Sequence, residues 1–334
     1  MMAAEPFRWR DGERLICFGR ASRLLVEELV EPGWTLLGTS RSIGQVPELV
    51  QSADDVKLVP SGSVEMASAE LAGTVSTKAL VAVGGGKVID VAKALAAAAP
   101  PCRVVAIPTT LSGAEMTAFH RHTHGVPAET ARVRPAIVLN DPELLASDST
   151  ELLMGSAANA LAHAVEATVT VERNPVSDLA AAEGVRRILA GLYATDDLQL
   201  DERAPCYSQL GLGALLCGYA VGSSGFGLHH VLAQAVASTG FGHGPANAAL
   251  LPHTIPALRL RCPEGVGLIE SAIGMNLVTL ASAIARDSGT PRLRTLGAGV
   301  IDDAVDAALS RPQLEITPPR ATREEIEEIY RAAW

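Results

Sequence analysis

The chain has 334 residues, 48% of them apolar and 4% aromatic, with 27 basic against 37 acidic side chains and a net charge of −10. That length predicts about two domains, and the apolar content excludes a disordered chain. The acidic balance, with no run of Lys or Arg, argues against a nucleic-acid groove. Lysine occurs at Lys57, Lys78, Lys87 and Lys93 alone, a skew that reads as nucleotide-composition bias. A lysine-dependent mechanism therefore has only the chain up to Lys93 to draw on. Apolar runs are broken well short of about 18 residues, so no membrane span is expected. The charged N-terminus lacks the apolar centre of a signal peptide. Five scattered cysteines without a CxxC suit a reduced, cytoplasmic interior.

In chain order, Arg14–Phe18 predicts a strand and 22–29 a helix. Strands follow at 35–39, 56–59, 79–83, 103–107 and 136–139. Continuous apolar strands separated by helices indicate a parallel sheet covered on both faces. After Asp141 strand signals nearly vanish, and apolar positions recur at helical spacing over 156–170, 177–192, 208–219 and 269–285. The sequence Thr322-Arg-Glu-Glu325 reads as a capping box opening a last helix. The expected organisation is an α/β nucleotide-binding domain at 1–150 and an all-α domain at 151–334.

Two loops at strand ends carry phosphate chemistry. Gly84-Gly85-Gly86-Lys87, with Asp90 beyond, follows a strand and opens a helix. Glycines there let the backbone approach a diphosphate, and the helix start offers free N–H groups; a plain tight turn is the alternative. Thr109, Thr110 and Ser112 lie past the next strand, where open α/β sheets bind ligands, or they satisfy their own loop. Histidines form a further set. Asn159 and His163 share a helix face, and His230 and His243 lie downstream. They can converge on a divalent metal or line a substrate pocket. The alternating His120, His122 and His124 are expected on an exposed hairpin edge.

Taken together, these segments resemble the iron-containing alcohol dehydrogenase superfamily, on its maleylacetate reductase branch. Gly84–Lys93 resembles GGGSxxDxAK, and Pro108–Thr117 resembles PTTxxGSEMT. Ser156–Glu166 resembles SGMNALAHAVEA, and Gly227–His230 matches GLHH. His243–His253 matches PHGxANAxxLPH, and the closing Pro319–Trp334 is similar to NPRxxT…AW. The resemblance implies a dehydroquinate synthase-like fold with a nicotinamide dinucleotide whose diphosphate lies at Gly84–Lys87, with contacts from Asp90, Thr109 and Thr110. It implies hydride transfer to or from a small carbonyl or alcohol substrate, with His163, His230 and His243 as catalytic groups. In metal-dependent members an Asp and three His bind the ion; the aligned positions here are Asn159, His163, His230 and His243. Asn is a neutral, weaker ligand, so a mechanism without metal, in which an imidazole handles the proton, fits better than one with iron or zinc. Gln234 replaces another pocket histidine. The segment Thr39-Ser40-Arg41 lacks the acid that favours NAD, so NADP(H) is expected to be accepted. Two other readings are a dehydroquinate synthase-like lyase, which the scarcity of lysine disfavours, and a degenerate binding protein. The expected setting is a cytoplasmic homodimer acting on a small molecule, with no nucleic acid or membrane.

Overall fold

The structure, a computed structural model, describes residues 2–147, 149–193, 204–296 and 299–334. It divides into two compact units. Among the described residues, the first holds the chain up to Ser147 together with 204–215, and the second holds 149–193 and the chain from Leu216 to Trp334.

The first unit is built on seven strands: β1 (Phe7–Asp11), β2 (Arg14–Phe18), β3 (Thr35–Gly38), β4 (Asp55–Leu58), β5 (Ala79–Gly84), β6 (Arg103–Pro108) and β7 (Ile137–Asn140). They stand in the order β1-β2-β7-β6-β5-β3-β4. All neighbours are parallel except β1 and β2, an antiparallel hairpin in which Phe7 opposes Phe18 and Asp11 opposes Arg14. β1 has no counterpart in the predicted elements. Its Phe-Arg-Trp-Arg-Asp alternation belongs to an edge strand that is never fully buried, and charge at alternate positions hides such a strand from an apolar-run criterion. Along the central strands successive residues enter opposite cores. Leu36, Val81, Val83, Val105 and Ile107 pack on one face, and Leu37, Leu80, Ala82, Val104 and Ala106 on the other. Helices cover both faces: α1 (Val26–Leu29), α2 (Ser40–Ile43), α3 (Pro47–Ser52), α4 (Val64–Ala72) and α5 (Gly86–Ala98). Val26 and Leu49 join the first core; Ala67, Leu71, Val88, Ile89, Val91, Ala92 and Leu95 join the second.

The second unit is helical: α6 (Thr150–Ala167), α7 (Pro175–Leu192), the later part of α8 (Ala204–Ser224), α9 (Leu228–Val236), α10 (His243–Arg261), α11 (Pro263–Ile273), α12 (Leu277–Asp287), α13 (Gly299–Leu309) and α14 (Arg323–Ala332). A single break at 150/151 therefore misses the start of α8, which packs with the α/β unit. There Ser208 Oγ accepts from the Ala4 N–H at 2.9 Å, and the Gly211 backbone lies close to Asn140, Leu145 and Phe18. The helix expected over 269–285 is two helices. Gly274 caps α11 in the left-handed region at φ +65°, and Asn276 caps α12 by accepting from the N–H groups of Val278 and Thr279. Apolar spacing carries across such a break because both helices bury the same side. The expected box at Thr322 is half formed. Thr322 accepts from the Glu325 N–H, but the Glu325 carboxylate goes instead to Arg261 as a two-pronged pair at 2.7 and 2.8 Å. Among the described residues no single helix is long and apolar enough to cross a membrane.

Candidate active site

The sheet order reverses between β3 and β5, since the chain runs outward from β3 to β4 and then back through β5, β6 and β7. Ligands of open α/β sheets bind beyond the strand ends at such a point. Three loops meet there. The first follows β3: Thr39 caps α2, its side chain exchanging hydrogen bonds with Ser42 in a capping box, and Ser40 is the exposed first helical residue. Ser42 Oγ donates to the Val83 carbonyl at 2.7 Å, tying this turn to the end of β5. The second is the glycine turn. Gly85 precedes α5 with no side chain capping the helix start. The third is Thr109–Ser112, where the Thr109 N–H donates to the Gly84 carbonyl at 3.1 Å. The glycines permit the approach of the last two loops. A Cβ on Gly85 would stand 3.1 Å from Thr110 Cγ2, and one on Gly86 3.2 Å from Ser112 Cβ. Uncapped helix N–H groups beside two hydroxyl-bearing side chains form a cradle that suits a diphosphate.

Two expected contacts are otherwise engaged. Lys87 Nζ donates to the Pro60 carbonyl at 2.7 Å, and Asp90 is ion-paired with Lys93 at 2.7 Å. The His120–His124 segment is not a hairpin. His120 is buried in a loop, its Nε2 accepting from the Val133 N–H at 3.1 Å and its Nδ1 facing the Arg121 carbonyl at 3.0 Å. Those two partners fix it as a neutral imidazole, with its pKa lowered to about 4, chiefly by burial.

In the second unit Asn159, His163, His230 and His243 come together. The rings of His163 and His230 stack with centroids 4.6 Å apart and planes 8° from parallel. His243 Nε2 lies 3.2 Å from Asn159 Oδ1. Behind them stands Glu166, fully buried, which no residue-level pattern singled out although it lies one helical turn beyond His163 on α6. Its Oε1 accepts the N–H groups of Gly227 at 3.0 Å and His229 at 2.7 Å, and its Oε2 accepts that of His230 at 3.3 Å. His230 Nδ1 lies 2.6 Å from Oε2. A carboxylate already accepting three N–H bonds takes Nδ1–H as a fourth, which leaves Nε2 as the lone-pair nitrogen. That Nε2 is buried without a hydrogen-bond partner among the described residues, as is His163 Nδ1. Gly227 makes the arrangement reachable, since a Cβ there would lie 2.6 Å from Thr317. His229 is a structural histidine, with Nδ1 at 2.8 Å from Thr254 Oγ1 and Nε2 at 3.0 Å from Asn247 Oδ1. Asn247 in turn donates to the His243 carbonyl at 2.8 Å. Burial lowers the pKa of both His229 and His230 to about 3, so both rest neutral.

The four metal-ligand positions do not suit an ion as they stand. An imidazole lone pair lies in its ring plane, and the stacked rings of His163 and His230 occupy separate, nearly parallel planes that share no point within bonding reach. Asn159 offers a neutral oxygen, so none of the four groups carries a negative charge. Among the described residues no group of three or more His, Cys, Asp or Glu is arranged to hold a metal.

The comparisons agree with this architecture. The profile of the Fe-containing alcohol dehydrogenase family, C-terminal region, matches residues 154–334, and that of iron-containing alcohol dehydrogenase matches residues 42–142. The chain belongs to the iron-containing alcohol dehydrogenase family and is an NAD(P)-dependent oxidoreductase. Within the family it lies on the maleylacetate reductase branch. It is 35% identical over 307 residues to maleylacetate reductase 2 of Cupriavidus pinatubonensis, covering 88% of this chain and 84% of that one. It is 32% identical over 238 residues to maleylacetate reductase of Pseudomonas aeruginosa, covering 68% and 66%. The crystal structure of maleylacetate reductase from Agrobacterium tumefaciens superposes with a TM-score of 0.82 at 25% identity, over 99% of each chain.

Proposed function

We propose that the chain reduces a small carbonyl substrate, maleylacetate-like or a tailoring intermediate of secondary metabolism, by a metal-independent mechanism. The observation that carries this reading is the buried Glu166–His230 pair, whose outer nitrogen has no hydrogen-bond partner among the described residues. A nicotinamide cofactor bound at the Gly84–Gly86 turn and the Thr109–Ser112 loop, with Ser40 alongside, supplies the hydride. His230 Nε2 accepts the hydroxyl proton of an alcohol and, by microscopic reversibility, returns it to the carbonyl oxygen during reduction. Glu166 holds the ring in the Nδ1–H tautomer and stabilises the imidazolium while the proton resides there, as the carboxylate of a catalytic triad does. His163 stacks on His230 and keeps water from its face, and the Asn159–His243 contact orients the edge of the pocket. Gln234, one turn beyond His230 on α9, accepts from Arg311 at 2.7 Å, which supplies a cation for an anionic substrate group. The cytoplasm and a homodimeric state are the setting we assign.

Glu166→Gln and His230→Asn test the assignment. Each lowers kcat by about 10²- to 10⁴-fold with cofactor affinity unchanged; a loss confined to KM contradicts it. The absence of an acid at Thr39-Ser40-Arg41 supports acceptance of NADP(H). Steady-state KM values for NADPH and NADH check this, with a KM for NADPH equal to or below that for NADH as the expected result and a strong NADH preference as the contrary one.

A further inference from the structure

Lys93 takes no part in the hydride or proton steps above, yet it is the one lysine of four that is fully buried. Its ammonium donates to the carbonyls of Ala114 at 3.0 Å, Thr117 at 3.3 Å and Phe119 at 2.7 Å, and pairs with the Asp90 carboxylate at 2.7 Å. From the other side Arg14, also buried, donates to the carbonyls of Glu115 at 3.0 Å and Met116 at 3.5 Å, and to Pro135 at 3.0 Å. Five carbonyls between 114 and 119 thus turn inward onto two cations. This stretch is the direct continuation of Thr109–Ser112, entered through Gly113 in the left-handed region at φ +68°. Lys93 itself sits two turns into α5, the helix that opens at the glycine turn.

We propose that Lys93 is a positioning residue for the cofactor. It fastens the loop after β6 to the glycine-turn helix, so that Thr110 and Ser112 are held against Gly85 and Gly86 and the loop presents hydroxyls and N–H groups, not carbonyls, to an anionic ligand. The chemistry favours lysine here. An ammonium is compact and carries three donors, one for each carbonyl, and Asp90 offsets the cost of burying the charge. A chain that uses arginine nearly everywhere else keeps lysine where a planar guanidinium would not meet three carbonyls that enclose one point. The inference rests on reading these two loops as the cofactor's phosphate site.

The test uses the full-length protein with Lys93→Met and Lys93→Gln. NADPH dissociation constants are read by fluorescence, amide hydrogen exchange over 109–119 without cofactor, melting temperature, and kcat at saturating cofactor. Expected are faster exchange across Thr109–Phe119 and a dissociation constant raised about tenfold or more, the scale of one charged hydrogen bond lost, with kcat within about threefold of wild type. A folded variant with wild-type cofactor affinity overturns the proposal, whatever its melting temperature, and so does failure of both variants to fold. If wild-type protein itself binds neither NADPH nor NADH, the phosphate-site reading fails and the proposal with it. The exchange data then still report separately whether Lys93 holds the loop.

Discussion

Glu115 and the buried histidines carry opposite pH signatures. The Glu115 carboxyl is fully buried, and burial raises it to about 7 against the attraction of Lys93 and Arg14. An unfolded chain releases that proton near pH 4.5, so this residue's contribution to stability falls as pH rises from about 4.5 to 7 and stays lost above it. His229 and His230, held near 3 by burial, act in the other direction. The unfolded chain takes up their protons below about 6.5 while the folded protein refuses them, so stability falls on acidification. Replacing Glu115 with Gln supplies a neutral group of the same shape. It should stabilise the protein at pH 8 by up to about 3 kcal/mol, the equivalent of the shift, and by little at pH 5, read as urea midpoints at both pH values. Equal gains at the two pH values would contradict the assignment. The acid loss below pH 6 should persist in the variant, because the histidines remain.

At the scale of elements, the approach of the glycine-turn helix to the Thr109–Ser112 loop is the contact on which the proposed cofactor site rests. Gly86 opens α5, where alanine is a better helix former by about 1 kcal/mol, but its Cβ would stand 3.2 Å from Ser112. Gly86→Ala should therefore leave the melting temperature unchanged or raised while increasing the cofactor KM several-fold; a variant with both stability and KM unaltered would show that the approach is not tight. The glycine turn, the two hydroxyls and the four central strands were legible in the sequence, because continuous apolar runs and glycine clusters report backbone demands directly. The break at Gly274 was not, since apolar spacing continues through it. Nor was the rerouting of Glu325 to Arg261, which depends on a residue 64 positions away. Lys87 and Asp90 stood in a recognisable motif, but their charges are engaged by Pro60 and Lys93, partners that no local pattern names.

For the whole molecule, the expectation of an α/β unit followed by a helical one captured the two cores but not the way the chain shares its elements, because α8 contributes to both. The candidate site in the helical unit was legible as a set of histidines. What escaped was the organising carboxylate, because Glu166 reads as an ordinary helix residue until the N–H groups at the start of α9 are seen to converge on it. The proposed metal-independent proton transfer rests on that convergence together with the neutral Asn159 and the stacked His163 and His230 rings. The most direct test is carbonyl reduction by NADPH after exhaustive treatment with a chelator, with iron and zinc measured in the same sample. Full activity is expected at metal contents far below one ion per chain, with no gain when Fe²⁺ or Zn²⁺ is returned. Activity that disappears with the metal and recovers in proportion to the ion restored would overturn the metal-independent mechanism.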